Sequence, residues 1–193
     1  MLTRRTLFLA GATALTLSPM DRLFAQPAPQ LQFDGAGYFF RWTDGKQFEF
    51  TPQGQENLDQ WTNMLTVLAH EDRGTPELLA QWANNLVDAY QSKGLVIRTH
   101  SVPASEQKPA QHFLAAMMEG QGVIDSTFNR FLLRRGIGYC FVYSHRVYFE
   151  SDQKAAAGQK GEWVSQHGPA IEDAVMAAQV PDLDTLRGWA GSH

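Results

Sequence analysis

VIDSTFNRFLLRRGIGYCFVYSHRVYF, residues 123–149, is the stretch whose reading decides the fold. It is rich in aromatic and β-branched residues, which suit a pleated, half-buried surface. It breaks at Arg135-Gly136, and Gly120-Gln121-Gly122 separates it from HFLAAMMEG, residues 112–120. Three such segments with glycine at each joint predict an antiparallel meander. In the last of them Tyr143, His145, Val147 and Phe149 share one face, and Ser144, Arg146, Tyr148 and Glu150 the other. If 127–135 is a strand, Arg130 and Arg134 align with Phe128 and Leu132.

Outward toward the N-terminus lies YFFRWTDGKQFEF, residues 38–50, with aromatic runs flanking Asp44-Gly45, a strong hairpin signal. A two-residue turn separates Tyr38, Phe40 and Trp42 from Phe48 and Phe50, whereas a one-residue bulge would unite all five on one side. Residues 58–70 (LDQWTNMLTVLAH) fit both a helical stripe and an alternating strand; Thr62, Thr66 and Val67 tip the reading to a strand. TPELLAQWANNLVDAYQSKG, residues 75–94, predicts a helix with Thr75 as N-cap, Pro76 in its first position, Glu77 at its positive end and Gly94 at its C-terminal cap. Leu79, Trp82, Ala83, Leu86 and Tyr90 form its apolar stripe.

Leu95 to His100 reads as a strand, Pro103–Pro109 as a loop, and KAAAGQKG (154–161) as another loop. A last helix over roughly 162–178 turns Trp163, Ile171 and Val175 inward, and Gly168-Pro169 is expected to kink or split it. Leu183, Leu186 and Trp189 are packing anchors in the tail. The expectation is α+β: an antiparallel sheet with helices packed on it, like an α/β/α sandwich, in a single domain over 33–193.

The chain opens MLTRRTLFLAGATALTLSP. Arg4 and Arg5 precede an apolar run from Leu7 to Leu17 that is too short to span a membrane and reads as a signal peptide, residues 1–25, cut after Leu23-Phe24-Ala25. Thr3-Arg4-Arg5-Thr6-Leu7-Phe8-Leu9 resembles the twin-arginine export signal, with the order of its large apolar residues swapped and its following Lys absent. Residues 26–32 form a Pro-broken spacer. The address is the periplasm or the exterior, with no transmembrane anchor after cleavage. Losing that segment takes the formal net charge from −4 to −6. Such a domain lacks the clustered cations that a nucleic-acid backbone requires. One cysteine, Cys140, excludes an intrachain disulfide and a thiolate-rich metal site. No cofactor is expected.

An early aromatic hairpin, a capped helix, a meander containing VYSHRVYF and a helix with Trp163 near its start resemble, in that order, the Mog1/PsbP-type α/β/α sandwich proteins over most of residues 33–180. The resemblance implies a non-enzymatic accessory or binding domain. It transfers no functional residue, because it rests on element order. The lipid anchor of some members is not expected, since no cysteine stands at the signal junction.

The residues offer few sites. His70-Glu71-Asp72-Arg73 is the densest polar cluster, where His70 and a carboxylate such as Glu71 could act as an acid–base pair or hold a metal; adjacent strand residues diverge, and a charged loop between an apolar segment and the helix cap is the better account of them. Ser144-His145 invites a hydrolase reading, yet neighbours on a strand cannot form a nucleophile–base pair, and a half-buried His145 is the plainer fate. Cys140 reads as a small buried hydrophobe. Arg130, Arg134 and Arg146 with Phe128 and Tyr148 compose a mixed Arg and aromatic surface of the kind enriched at protein contacts, or else a charge-guarded sheet edge. The reading is an exported, non-catalytic accessory protein that binds a cell-envelope or secreted protein through that surface. The alternatives are a small-ligand carrier with a pocket between helix and sheet, and a small hydrolase using His70 or His145.

Overall fold

The computed structural model describes residues 29–191. The signal segment and the start of the spacer lie outside the described residues. Eight antiparallel strands form one sheet in the order β1-β2-β3-β4-β8-β7-β6-β5. They are β1 (Leu31–Phe33), β2 (Ala36–Thr43), β3 (Gln47–Pro52), β4 (Asn63–His70), β5 (Gly94–Val102), β6 (Gln111–Gly120), β7 (Val123–Arg134) and β8 (Ile137–Tyr148). Three helices pack on this open sheet: α1 (Pro76–Gln91), α2 (Gln153–Ala177) and α3 (Leu183–Ala190). The chain is α+β.

Two meanders build the sheet. The first runs from β1 to β4. Helix α1 then carries the chain to the far edge, and β5 to β8 march back until β8 pairs with β4, Leu65 opposite Tyr143. The 123–149 stretch forms β7 and β8 as the sequence predicts. At their joint Arg135 and Gly136 both have positive φ (51° and 73°), the conformation of a tight turn whose twist matches the strands.

Each face has its own core. Under α2 and α3 lie Phe33, Phe48, Phe50, Phe128, Tyr139, Phe141 and Tyr143 with Val164, Ile171, Val175 and Leu186. Under α1 lie Leu79, Ala83, Leu114, Phe131, Cys140 and Val142, with Trp82, Leu86 and Tyr90 against them. Thr75 caps α1 by accepting from Leu78 N–H, with Pro76 at the first position. Burial drives the Cys140 thiol well above its usual range, so it is an inert core residue.

Several expectations are corrected. The bulge in the first hairpin falls at Arg41, between the Phe40–Phe50 and Trp42–Glu49 pairs. It gathers Tyr38, Phe40, Phe48 and Phe50 inside but turns Trp42 outward, 43% exposed. The expected spacer ends earlier than 32, because Leu31 is buried in β1. Gly94 does not cap α1, which ends at Gln91 with Ser92 as its C-cap; it opens β5, where a Cβ would meet Met117 O at 2.3 Å. The expected loop 154–161 is helix. Asp152 caps it by accepting from Ala155 N–H, and three alanines favour helix. The helix also runs through Pro169 without splitting, held to the sheet by Lys160, Val164, Gly168, Ile171 and Val175.

Candidate functional site

The expected Arg and aromatic surface is not one surface. Alternation along β7 and β8 sends Phe128, Arg130 and Arg134 to the face under α2, and Arg146 and Tyr148 to the opposite face. Phe128 is 2% exposed and Arg130 9%. The Arg130 guanidinium donates to Val175 O (3.3 Å) and Ala178 O (2.7 Å) at the end of α2, and to Gln111 Oε1 (2.8 Å). Val175 O also accepts from Ala178 N–H (3.3 Å), so the guanidinium adds to the cap at this helix end, where the helix dipole favours a cation. Arg134 donates to Val180 O and lies 3.9 Å from Asp182. Both arginines therefore hold the 175–182 segment.

Arg146 makes a two-pronged pair with its cross-strand neighbour Asp125 (2.7 and 2.8 Å), and its guanidinium sits 4.1 Å from the Trp61 ring centre. The Tyr148 hydroxyl accepts from Trp61 N–H (3.0 Å) and donates to Trp61 O (3.1 Å). These two side chains fasten the segment before β4 to β8.

The histidine expectations also separate. His70 packs edge-on against Trp82 (ring centres 4.8 Å apart) with Asp72 at 3.4 Å, while Glu71 lies 3.7 Å from Arg187. His70 and Glu71 thus have different partners. Among the described residues no group of three or more His, Cys, Asp or Glu is placed to hold a metal. His145 stacks flat on Trp163 (3.9 Å, 9°), and His167 stacks on the same indole at 4.9 Å. Lys160 is only 1% exposed; its Nζ donates to His145 O (2.7 Å), meets His145 Nδ1, and lies 4.3 Å from the Trp163 ring centre. Burial, then the Lys160 ammonium and His167, push His145 down to about 4. Burial likewise brings Lys160 down to about 7. Ser144 lies on the other face, under α1, so it does not join His145.

The feature that sequence reasoning missed in detail is a cleft of about 580 Å³ between α2 and the β5–β6 edge of the sheet. Leu95, Ile97, Ala115, Met117 and Phe128 form its floor, and Val164 and Pro169 its wall. It exists because α2 presents Gly161 and Ser165 there: a Cβ at Gly161 would meet nothing within 4 Å, whereas at Gly168, where the helix comes close to the sheet, it would meet Phe128 at 3.8 Å. That small-residue stripe, one helical face of 161–172, was the legible signal; it was hidden because 154–161 read as a loop. Leu95 is 57% exposed and Ile97 40%, an unusual state for aliphatic side chains on a strand. At the rim Glu172 pairs with Arg98 (3.0 Å) and lies 3.3 Å from His100 Nδ1; His100 is packed on Phe113. The cleft is an apolar trough with one charged corner.

Comparison with known proteins names no activity. No family model matches the chain, and no curated protein matches it. Among solved structures it is similar to a protein of unknown function from Pseudomonas aeruginosa, 14% identical, over 73% of this chain and 86% of that one, with a TM-score of 0.44.

Proposed function

We propose that this chain is an exported, non-catalytic binding protein whose ligand is a small, largely apolar molecule seated in the α2/β5–β6 cleft. The observation that carries this reading is the cleft itself, with aliphatic floor residues left open to water and convergent polar groups at one corner. Its volume lies within the range of ordinary ligand sites, and its lining is of the usual composition. The Arg98–Glu172 pair at the rim is exposed on its Arg side, so Arg98 can turn to a polar or anionic head group.

A second reading has one observation in its favour. β5 is an edge strand with Leu95, Ile97 and Val102 exposed, and an extended segment of an envelope or secreted protein could add to it. The bulge between Val96 and Arg98 interrupts that edge, which weighs toward the small ligand.

The test uses 1-anilinonaphthalene-8-sulfonate, an apolar fluorophore with an anionic head, on the native protein and on the double variant Leu95→Glu, Ile97→Glu. Leu95 is 57% and Ile97 40% exposed in the free protein, and far-ultraviolet circular dichroism checks that the variant keeps the fold. Micromolar binding by the parent and at least about a tenfold loss in the variant support the cleft, since two buried aliphatic contacts are worth more than 1.4 kcal/mol together. Equal binding by the two proteins, or none by the parent, overturns it.

A further inference from the structure

Lys160 stands apart from every other lysine of the chain. Lys46, Lys93, Lys108 and Lys154 are exposed, whereas Lys160 is buried on the inner side of α2. A buried ammonium ordinarily pairs with a carboxylate, because an unpaired charge in a protein interior costs several kcal/mol. Lys160 has none among the described residues. Its partners are His145 O, His145 Nδ1 and the indole face of Trp163, all formally neutral groups. Lys160 also lines a cavity of about 240 Å³, together with His145, Val147, Tyr148, Ala156, Gln159 and Trp163. That cavity shares no lining residue with the α2/β5–β6 cleft. The Asp125 carboxylate, paired with Arg146 on the other face of the sheet, favours the ammonium, but burial outweighs it and favours the uncharged, nucleophilic form.

We propose that Lys160 is a carbonyl-capturing amine, which binds a small apolar aldehyde or ketone in this cavity as a reversible imine. The step balances without an oxidant or reductant. The Nζ lone pair forms a bond to the carbonyl carbon, and the carbonyl π electrons pass to oxygen, which takes a proton. The nitrogen loses its two protons in turn, the C–O bond breaks, and one water leaves as the C=N bond forms. His145 Nδ1, in contact with Nζ and held unprotonated near pH 7 by burial, orients the amine; the two protons that leave nitrogen pass through water to the oxygen that departs as water. Trp163 and Val147 offer the apolar walls for the rest of the ligand, and the cavity has room for a chain of a few carbons.

The burial shift of Lys160 agrees with the geometry. Near pH 7 about half of this amine is uncharged, whereas an ordinary lysine is uncharged in roughly one molecule in two thousand. A weaker base is a weaker nucleophile, which offsets part of that gain.

The probe is propanal with cyanoborohydride, which reduces any imine to a stable secondary amine; the full chain is used and each lysine is scored by peptide mass spectrometry. Near pH 7 Lys160 should be alkylated at least about tenfold faster than Lys46, Lys93, Lys108 or Lys154. Near pH 10 the order should level or reverse, because the exposed amines are then uncharged too. If Lys160 reacts no faster than the exposed four near pH 7, the proposal fails. The reaction is read on the unaltered protein, so no variant need fold. Fluorophore binding that is lost in the Leu95→Glu, Ile97→Glu variant, together with no Lys160 selectivity, would refute this inference and leave the cleft reading standing.

Discussion

Replacing Arg130 by Met tests whether this residue is a helix clamp or a contact surface. The substitution keeps the aliphatic stem and removes the guanidinium. Three hydrogen bonds go with it, to Val175 O, Ala178 O and Gln111 Oε1. Hydrogen bonds from a charged donor contribute about 1.5–3 kcal/mol each, and Val175 O keeps the Ala178 N–H when the guanidinium goes. Gln111 is half-buried and can turn to water. Two bonds near the middle of that range therefore set the expected loss at about 4 kcal/mol. For a chain of this size each kcal/mol lowers the melting temperature by about 2–4 °C, so Arg130→Met should melt roughly 8–16 °C below the parent. Urea unfolding followed by far-ultraviolet circular dichroism should show the same loss with an unchanged slope. The 175–182 segment should also lose amide protection before the sheet does. A variant within about 1 kcal/mol of the parent would refute the clamp.

Three further outcomes are expected. Lys160 binds its proton more weakly in the fold than in the open chain, so the unfolded state holds more protons between about pH 7 and 10 and stability rises with pH across that window; Lys160→Met should flatten this rise in thermal melts and should be no less stable than the parent near pH 7, because it removes a buried amine without a counter-ion. His145 acts in the same sense below it: its depressed value makes stability fall as pH drops from about 6.5 to 4, and His145→Gln should lessen that fall. Arg146→Lys should cost about 1–2 kcal/mol in urea, since an ammonium cannot make both bonds to Asp125 or stack as flatly on Trp61, and an unchanged midpoint would show that the pair contributes little.

The meander was legible because β7 and β8 alternate and carry glycine at their joints, and these are local signals. Helix α1 was legible for the same kind of reason, its cap, its first-turn proline and its stripe all lying within one window. What could not be read was set by the partner across the sheet. The side on which Trp42 falls depends on a single bulge at Arg41, which both registers of the hairpin allow. Residues 154–161 looked like a loop because two glycines and three polar residues dilute the pattern; only the sheet beneath shows that Lys160 occupies a core position. Arg130 and Arg134 were placed correctly beside Phe128 on one face, but the sequence cannot say that α2 comes to lie on that face and ends within their reach. Arg146 is aligned with its real neighbours, yet its bond to Asp125 spans 21 residues and depends on the β7–β8 register.

The meeting of β4 with β8 has a consequence for how the molecule forms. Every other ladder in the sheet joins consecutive strands, and those pairings close short loops. The β4–β8 ladder joins Asn63 to His145, so it closes a very long one. Loop closure of that kind is the slow part of folding. Each meander can therefore zip early, but β4 remains an unsatisfied edge until the last strand arrives to cover it. A nascent chain stopped before residue 137 would display that edge, along with Phe48, Phe50 and Leu65, to any neighbour. The seam between the halves is where this fold commits, and the interval before it closes is when the chain is most open to aggregation.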